Sequence, residues 1–113
     1  MCGIIAMMHA TREWLDARIR EAIALRRLVR LRYQGRSRTV EPHDYGVRGG
    51  SARLLVYQRS TDGEAPSALS TGWRDLVLDQ IEDLAVLDEP FAGSRGGEHS
   101  RHLRWDTVFA RVT

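Results

Sequence analysis

The chain has no lysine, no asparagine and a single cysteine. One cysteine excludes an intrachain disulfide framework, so the fold must be held by its core. No apolar run approaches the roughly 18 residues that a membrane-spanning helix needs. Residues 1 to 8 are apolar but short. They lack a basic start and a small-residue cleavage site, so they make a poor signal peptide, and a cytoplasmic protein without a membrane partner is expected. Short catalytic signatures are also missing: there is no Gly-x-Ser-x-Gly, no phosphate loop and no Cys-x-x-Cys. A binding module is therefore expected rather than an enzyme, with no cofactor. The missing lysine means that all 17 basic residues are arginine. GC-rich coding is the ordinary cause. The physical result is a set of planar cations suited to phosphate, carboxylate and base edges. A net charge of +2 is too small to be a nucleic-acid footprint by itself.

At 113 residues a single domain is the default. Thr11 to Arg27 reads as a helix. Leu15, Ile19, Ala22 and Ile23 fall on one stripe, Thr11 is a suitable N-cap and Glu13 suits the first turn. Trp14 lies beside the stripe and is expected to help dock the helix. The period then changes from 3.6 to 2. Val29, Leu31 and Tyr33 alternate with Leu28, Arg30 and Arg32, and a turn follows at Gln34-Gly35-Arg36-Ser37. Strands are expected at 28–34, 38–48, 53–59, 73–79 and 81–88. In the second of these the alternation changes phase at Pro42, which predicts a bend or bulge. Ser60 to Gly72 reads as a polar loop. Asp79-Gln80 joins two apolar runs through a sharp turn. Glu89 to Arg101 reads as irregular surface chain. Trp105, Val108, Phe109 and Val112 fall at i, i+3, i+4 and i+7, which predicts a short C-terminal helix. The fold class expected is mainly β with flanking helices: a helix at 11–27, a small five-stranded SH3-like or Sm-like barrel at 28–91 and a C-terminal extension at 92–113.

From about Ile19 to Phe91 the chain resembles the WYL domain, a bacterial ligand-sensing module with an Sm-like barrel. The resemblance rests on several blocks in order. They are Ile23, Val29-Arg30-Leu31-Arg32-Tyr33, Gly35, Arg38-Thr39-Val40-Glu41-Pro42, Leu54-Leu55-Val56-Tyr57, Trp73 to Ile81, Val86-Leu87 and Phe91. Of the three residues that name the family, only Leu55 matches; Arg53 and Leu54 stand at the tryptophan and tyrosine positions. Gln80 stands where the last block usually has arginine. Most members carry a helix-turn-helix DNA-binding unit ahead of the barrel. The 27 residues before the first strand are too few for one, so a stand-alone version is expected. The resemblance implies recognition of a negatively charged ligand, a nucleotide or single-stranded nucleic acid, in a role tied to transcription regulation. Arg38 and Arg74 match family positions. Arg74 shares the parity of Leu76 and Leu78, and Tyr57 or Trp73 would stack a base beside it. His43 and Tyr45, on the bent strand with Arg38, would line the same groove. The structural alternative is that Arg74 pairs with Glu41 or Asp79 and that Trp73 belongs to the core.

Other signals are weaker. Met-Cys-Gly-Ile resembles the start of class II glutamine amidotransferases, in which the cysteine is the nucleophile. Four residues are a small match, and Cys2 is read as a small apolar residue near a terminus. His99 and His102 beside Glu98 have a metal-like spacing but no evident third ligand, so a solvated loop is expected and no metal. His9 is isolated. A different function class also fits the pattern: an assembly module that forms a homo-oligomer, or binds a partner protein, through barrel edge strands such as 53–59 and 73–79, with no small ligand.

Overall fold

The computed structural model describes residues 11–63, 70–96 and 104–113. Cys2, His9, Glu98, His99 and His102 lie outside them. Helix α1 spans Arg12–Leu25. Thr11 caps it, its hydroxyl accepting a hydrogen bond from the Trp14 backbone N–H at 3.1 Å. The helix ends where Arg26 turns left-handed at φ 53°, and its N–H closes back on Ala22 and Ile23. The stripe of Leu15, Ile19, Ala22 and Ile23 is buried, as its spacing predicts. Trp14 is not part of the docking face; it stays 42% exposed. One position away from the stripe on a 3.6-residue period is enough to turn it outward.

Six antiparallel strands follow: β1 (Arg27–Tyr33), β2 (Arg36–Arg48), β3 (Ser51–Thr61), β4 (Gly72–Val77), β5 (Ile81–Pro90) and β6 (Thr107–Arg111). The ladder runs β4-β3-β2-β1-β5, with β6 paired to β2. Both hairpins at the ends of β2 are two-residue turns with positive φ at each central position: Gln34-Gly35 at 52° and 75°, and Gly49-Gly50 at 61° and 80°. That geometry matches the right-handed twist of the strands it joins. The first turn is therefore tighter than the four residues read from sequence. Leu78–Gln80 forms a single 3-10 turn between β4 and β5, where a sharp turn is expected. The ladder ends at β4 and β5, so the sheet is six-stranded and open where a closed five-stranded barrel is the sequence expectation. The Tyr33 hydroxyl bridges towards that seam. It accepts from the Val77 N–H and donates to Gln80 Oε1, each at 3.1 Å.

β2 organises the sheet because it changes partner along its length. Its first part, Arg36 to Val40, pairs with β1. Its second part, Asp44 to Val47, pairs with β6. β3 pairs along both parts, with register shifts at Thr39/Val40 and Pro42/Asp44. The second shift skips His43: Pro42 opposes Val56 and Asp44 opposes Leu55. The extra residue is a bulge at the position where the phase of the sequence changes. The core between sheet and helix is built from residues such as Ile19, Leu28, Val40, Leu54, Val56, Leu76 and Leu78.

The C-terminal helix read from Trp105 to Val112 is replaced by β6. β1 leaves β2 at Val40, so the edge of β2 beyond the bulge has unpaired backbone groups unless another strand supplies them. β6 does so. Val112 N–H donates to the His43 carbonyl and Asp106 N–H to the Val47 carbonyl, both at 2.8 Å. The apolar residues that suggest a helical stripe do not share a buried face. Val112 is buried, while Val108 and Phe109 are 41% and 37% exposed. Gly46 makes the approach possible, since a Cβ there would stand 2.0 Å from the Thr107 carbonyl oxygen.

Gly46→Ala is expected to lose about 1–3 kcal/mol of stability through overpacking. Hydrogen exchange checks the cause: protection falls first at the amides of Val112 and Asp106. Unchanged protection there would mean that β6 docks without help from Gly46.

Candidate functional site

The structure divides the six site residues expected from sequence among three places. Strand alternation assigns them. Val29 opposes Val40 and Leu76 opposes Leu54, so these buried residues mark the inner face. Arg38 shares the parity of Val40, and Arg74 that of Leu76. Both therefore project at the inner face, as the parity of Arg74 predicts. Tyr57 and Trp73 oppose each other, and Glu41 opposes Tyr57, in one row across the outer face. His43 joins that row through the bulge. Tyr45, past the bulge, is returned to the inner face opposite Leu54, against α1.

The inner-face group is an arginine mouth. Arg38 stacks its guanidinium 5.5 Å from the centroid of the Tyr33 ring. Its hydrogen bonds run to two neutral amides, Gln58 Oε1 at 3.1 Å and Gln34 Oε1 at 3.4 Å. Gln58 is itself buried and fixed by donating to Thr61 Oγ1 and the Ser70 carbonyl. Partial burial draws the Arg38 guanidinium below its ordinary value, and the charges of Arg74 and then Arg36 add to the depression. Three cations thus converge on one place. Arg74 also donates to the Trp73 carbonyl at 2.9 Å. Glu41 holds Arg59 and Arg95, and Asp79 holds Arg12.

The outer-face row is closed over. His43 is fully buried, its Nδ1 2.9 Å from the Glu41 carbonyl, with Trp73 edge-on at 4.8 Å and Phe91 at 5.6 Å. Trp73 is half-buried and packs edge-on to Tyr57 at 5.5 Å. Glu41, which sequence reading held only as a partner for Arg74, is the centre of this row. Its burial alone would push the carboxyl up. Hydrogen bonds and charge from Arg95 and Arg59 outweigh that and hold it below its ordinary value of 4.5. Arg59 and Arg95 carry no sequence signal for this role, because Arg95 arrives from a segment 54 residues away.

Tyr45 belongs to a third place, an open groove of about 480 Å³ lined by Arg12, Glu13, Asp16, Tyr45, Val47 and Phe109, among others. Its hydroxyl donates to Asp16 Oδ1 at 2.8 Å and its ring meets Phe109 at 5.2 Å. Burial, then the Asp16 hydrogen bond and charge, push the phenol up to about 12. Among the described residues, no group of three or more His, Cys, Asp or Glu side chains is placed to hold a metal ion. No helix among them is long and apolar enough to cross a membrane.

A protein-family model described as the WYL domain matches residues 16–86. No curated protein and no solved structure matches the chain.

The depressed Glu41 carboxyl makes stability pH-dependent with a definite sign. A carboxyl held below its unfolded value contributes fully above about pH 4.5, and the contribution is lost as pH falls through the lower folded value. Acid unfolding should therefore steepen below pH 4.5. Glu41→Gln should remove that limb at a cost of about 3–5 kcal/mol at neutral pH. An unchanged acid limb in the variant would count against the ion cluster as its source. Tyr45 has the opposite sign: its contribution is complete below the ordinary value of 10 and is lost as pH rises towards 12. Ultraviolet titration of Tyr45 should find its phenol still protonated above pH 10, and Asp16→Asn should bring its ionisation earlier.

Proposed function

As the chain belongs to the WYL-domain family, we propose that it is a binding module rather than an enzyme, sensing a nucleotide or single-stranded nucleic acid at the mouth formed by Arg38, Arg74 and Arg36. Domains of this family are regulatory ligand-sensing modules. We read the curved sheet as the family's Sm-like barrel, with its seam between β4 and β5. One observation carries the ligand class. Arg38 is partly desolvated, hydrogen-bonded to two neutral amides and set beside two other cations. Burial and the like charges of Arg74 and Arg36 both disfavour the charged form of Arg38. A phosphate placed among the three guanidinium groups converts that repulsion into charge-assisted hydrogen bonds. The Tyr33 ring beneath Arg38 supports a planar group at the same place.

The reading differs from a structural one in what arginine removal does. Arg38→Ala should change the unliganded stability by no more than about 0.5 kcal/mol, because it also removes repulsion. It should abolish the thermal shift given by nucleotides or short single strands. A ligand at 100 times its dissociation constant adds about 2.7 kcal/mol, which a thermal-shift screen resolves. Binding to single strands should weaken with salt at a slope of about 0.7 per phosphate contacted, and Arg38→Ala should reduce that slope by one contact. A wild-type protein that answers no anion, or an Arg38→Ala variant that unfolds, rejects the sensor reading.

A further inference from the structure

Glu41 is unusual for where it lies. The outer face of a sheet is ordinarily solvated, yet this carboxylate is 2% exposed. Two guanidinium groups cover it. Arg59 donates from Nε to Oε2 at 2.9 Å. Arg95 forks onto both oxygens, Nε to Oε1 and Nη2 to Oε2, each at 2.9 Å. Either arginine alone balances the single charge of the carboxylate. The two are held differently. Arg59 comes from β3, inside the ladder. Arg95 comes from the irregular segment 91–96, tethered by the Phe91 N–H on the Arg26 carbonyl and the Ser94 N–H on the Thr113 carbonyl. The Arg95 guanidinium also lies 3.6 Å from the centroid of the Tyr57 ring, whose edge-on neighbour is Trp73. A carboxylate fork beside an aromatic face is the chemistry that recognises a guanidinium group. An ammonium group matches its charge but neither the fork nor the stack.

We infer that Glu41, Tyr57 and Trp73 form a guanidinium-binding site that Arg95 occupies as an internal ligand and exchanges for an external guanidinium group. The external group is a free guanidino compound or the arginine of a peptide. Exchange does not strand the buried carboxylate, because Arg59 remains on it. The Arg95 side chain keeps 35% exposure, so the site is reached from solvent. The site lies on the face opposite Arg38 and Arg74 and stands independently of the sensing role proposed there.

The test uses the full chain and follows the Trp73 indole N–H by NMR during titration with methylguanidinium and, at matched ionic strength, methylammonium. In Arg95→Ala, methylguanidinium shifts the signal saturably, methylammonium does not, and adding Glu41→Gln abolishes the shift. In the wild type the same shift needs at least about tenfold more ligand, because Arg95 competes from within the chain. Arg95→Lys keeps a cation at the site, guards against misfolding of the alanine variant, and gives an intermediate midpoint. The assignment is overturned by equal responses to the two cations, by a response that survives Glu41→Gln, or by a wild type silent at about a hundredfold the variant's midpoint. N-acetyl-arginine amide and an arginine-bearing peptide then separate the sources. Tighter binding of the peptide identifies a polypeptide ligand, and equal binding a free guanidino compound.

Discussion

The bulge at Pro42–Asp44 is the constraint on which the rest of the molecule depends. It lets one strand serve β1 on one side of the bend and β6 on the other, while β3 follows it throughout. It also inverts the facing of every residue after it, because strand side chains alternate with a period of 2. Glu41 is turned outward before the bulge and Tyr45 inward after it. His43, the inserted residue, is left in the wall between them. Its burial against Trp73 and Phe91 anchors the bend to β4 and to the segment after β5.

Two arginine systems result, one on each face. On the outer face, two guanidinium groups converge on one buried carboxylate. On the inner face, Arg38 binds two amides and stacks on a phenol ring, with the like charges of Arg74 and Arg36 beside it. The first arrangement holds the chain segment after β5 onto the sheet. The second sets Arg38 beside the Tyr33 ring on the opposite face. β4 carries both, with Trp73 facing one way and Arg74 the other. A hydrogen bond from the Arg74 guanidinium to the Trp73 carbonyl joins them.

Much of this was legible in local pattern. The stripe from Leu15 to Ile23 fixes the buried face of α1. The alternation from Val29 to Tyr33 and the phase change at Pro42 locate β1 and the bulge, and the parity of Arg74 places it on the inner face. The failures have a common physical cause. A groove shared by Arg38, His43, Tyr45, Tyr57 and Trp73 requires one facing for all of them, and parity across a bulge carries no information about which residue is the inserted one. Trp14 and the run from Trp105 to Val112 were read by helical spacing alone, which says nothing of whether neighbouring chain exists to cover the stripe.

The sequence by itself determined the local elements: the capped helix α1, the run of strands from β1 to β5, the turn at Gln34-Gly35 and an arginine-only set of cations. Those are consequences of backbone and side-chain preferences within a few residues. Only the tertiary structure decided that residues 107 to 111 form a strand, that Glu41 is enclosed by Arg59 and Arg95, and that the candidate site divides between two faces. Each of these depends on backbone groups or charges that are distant in the chain and must be satisfied once burial removes them from water.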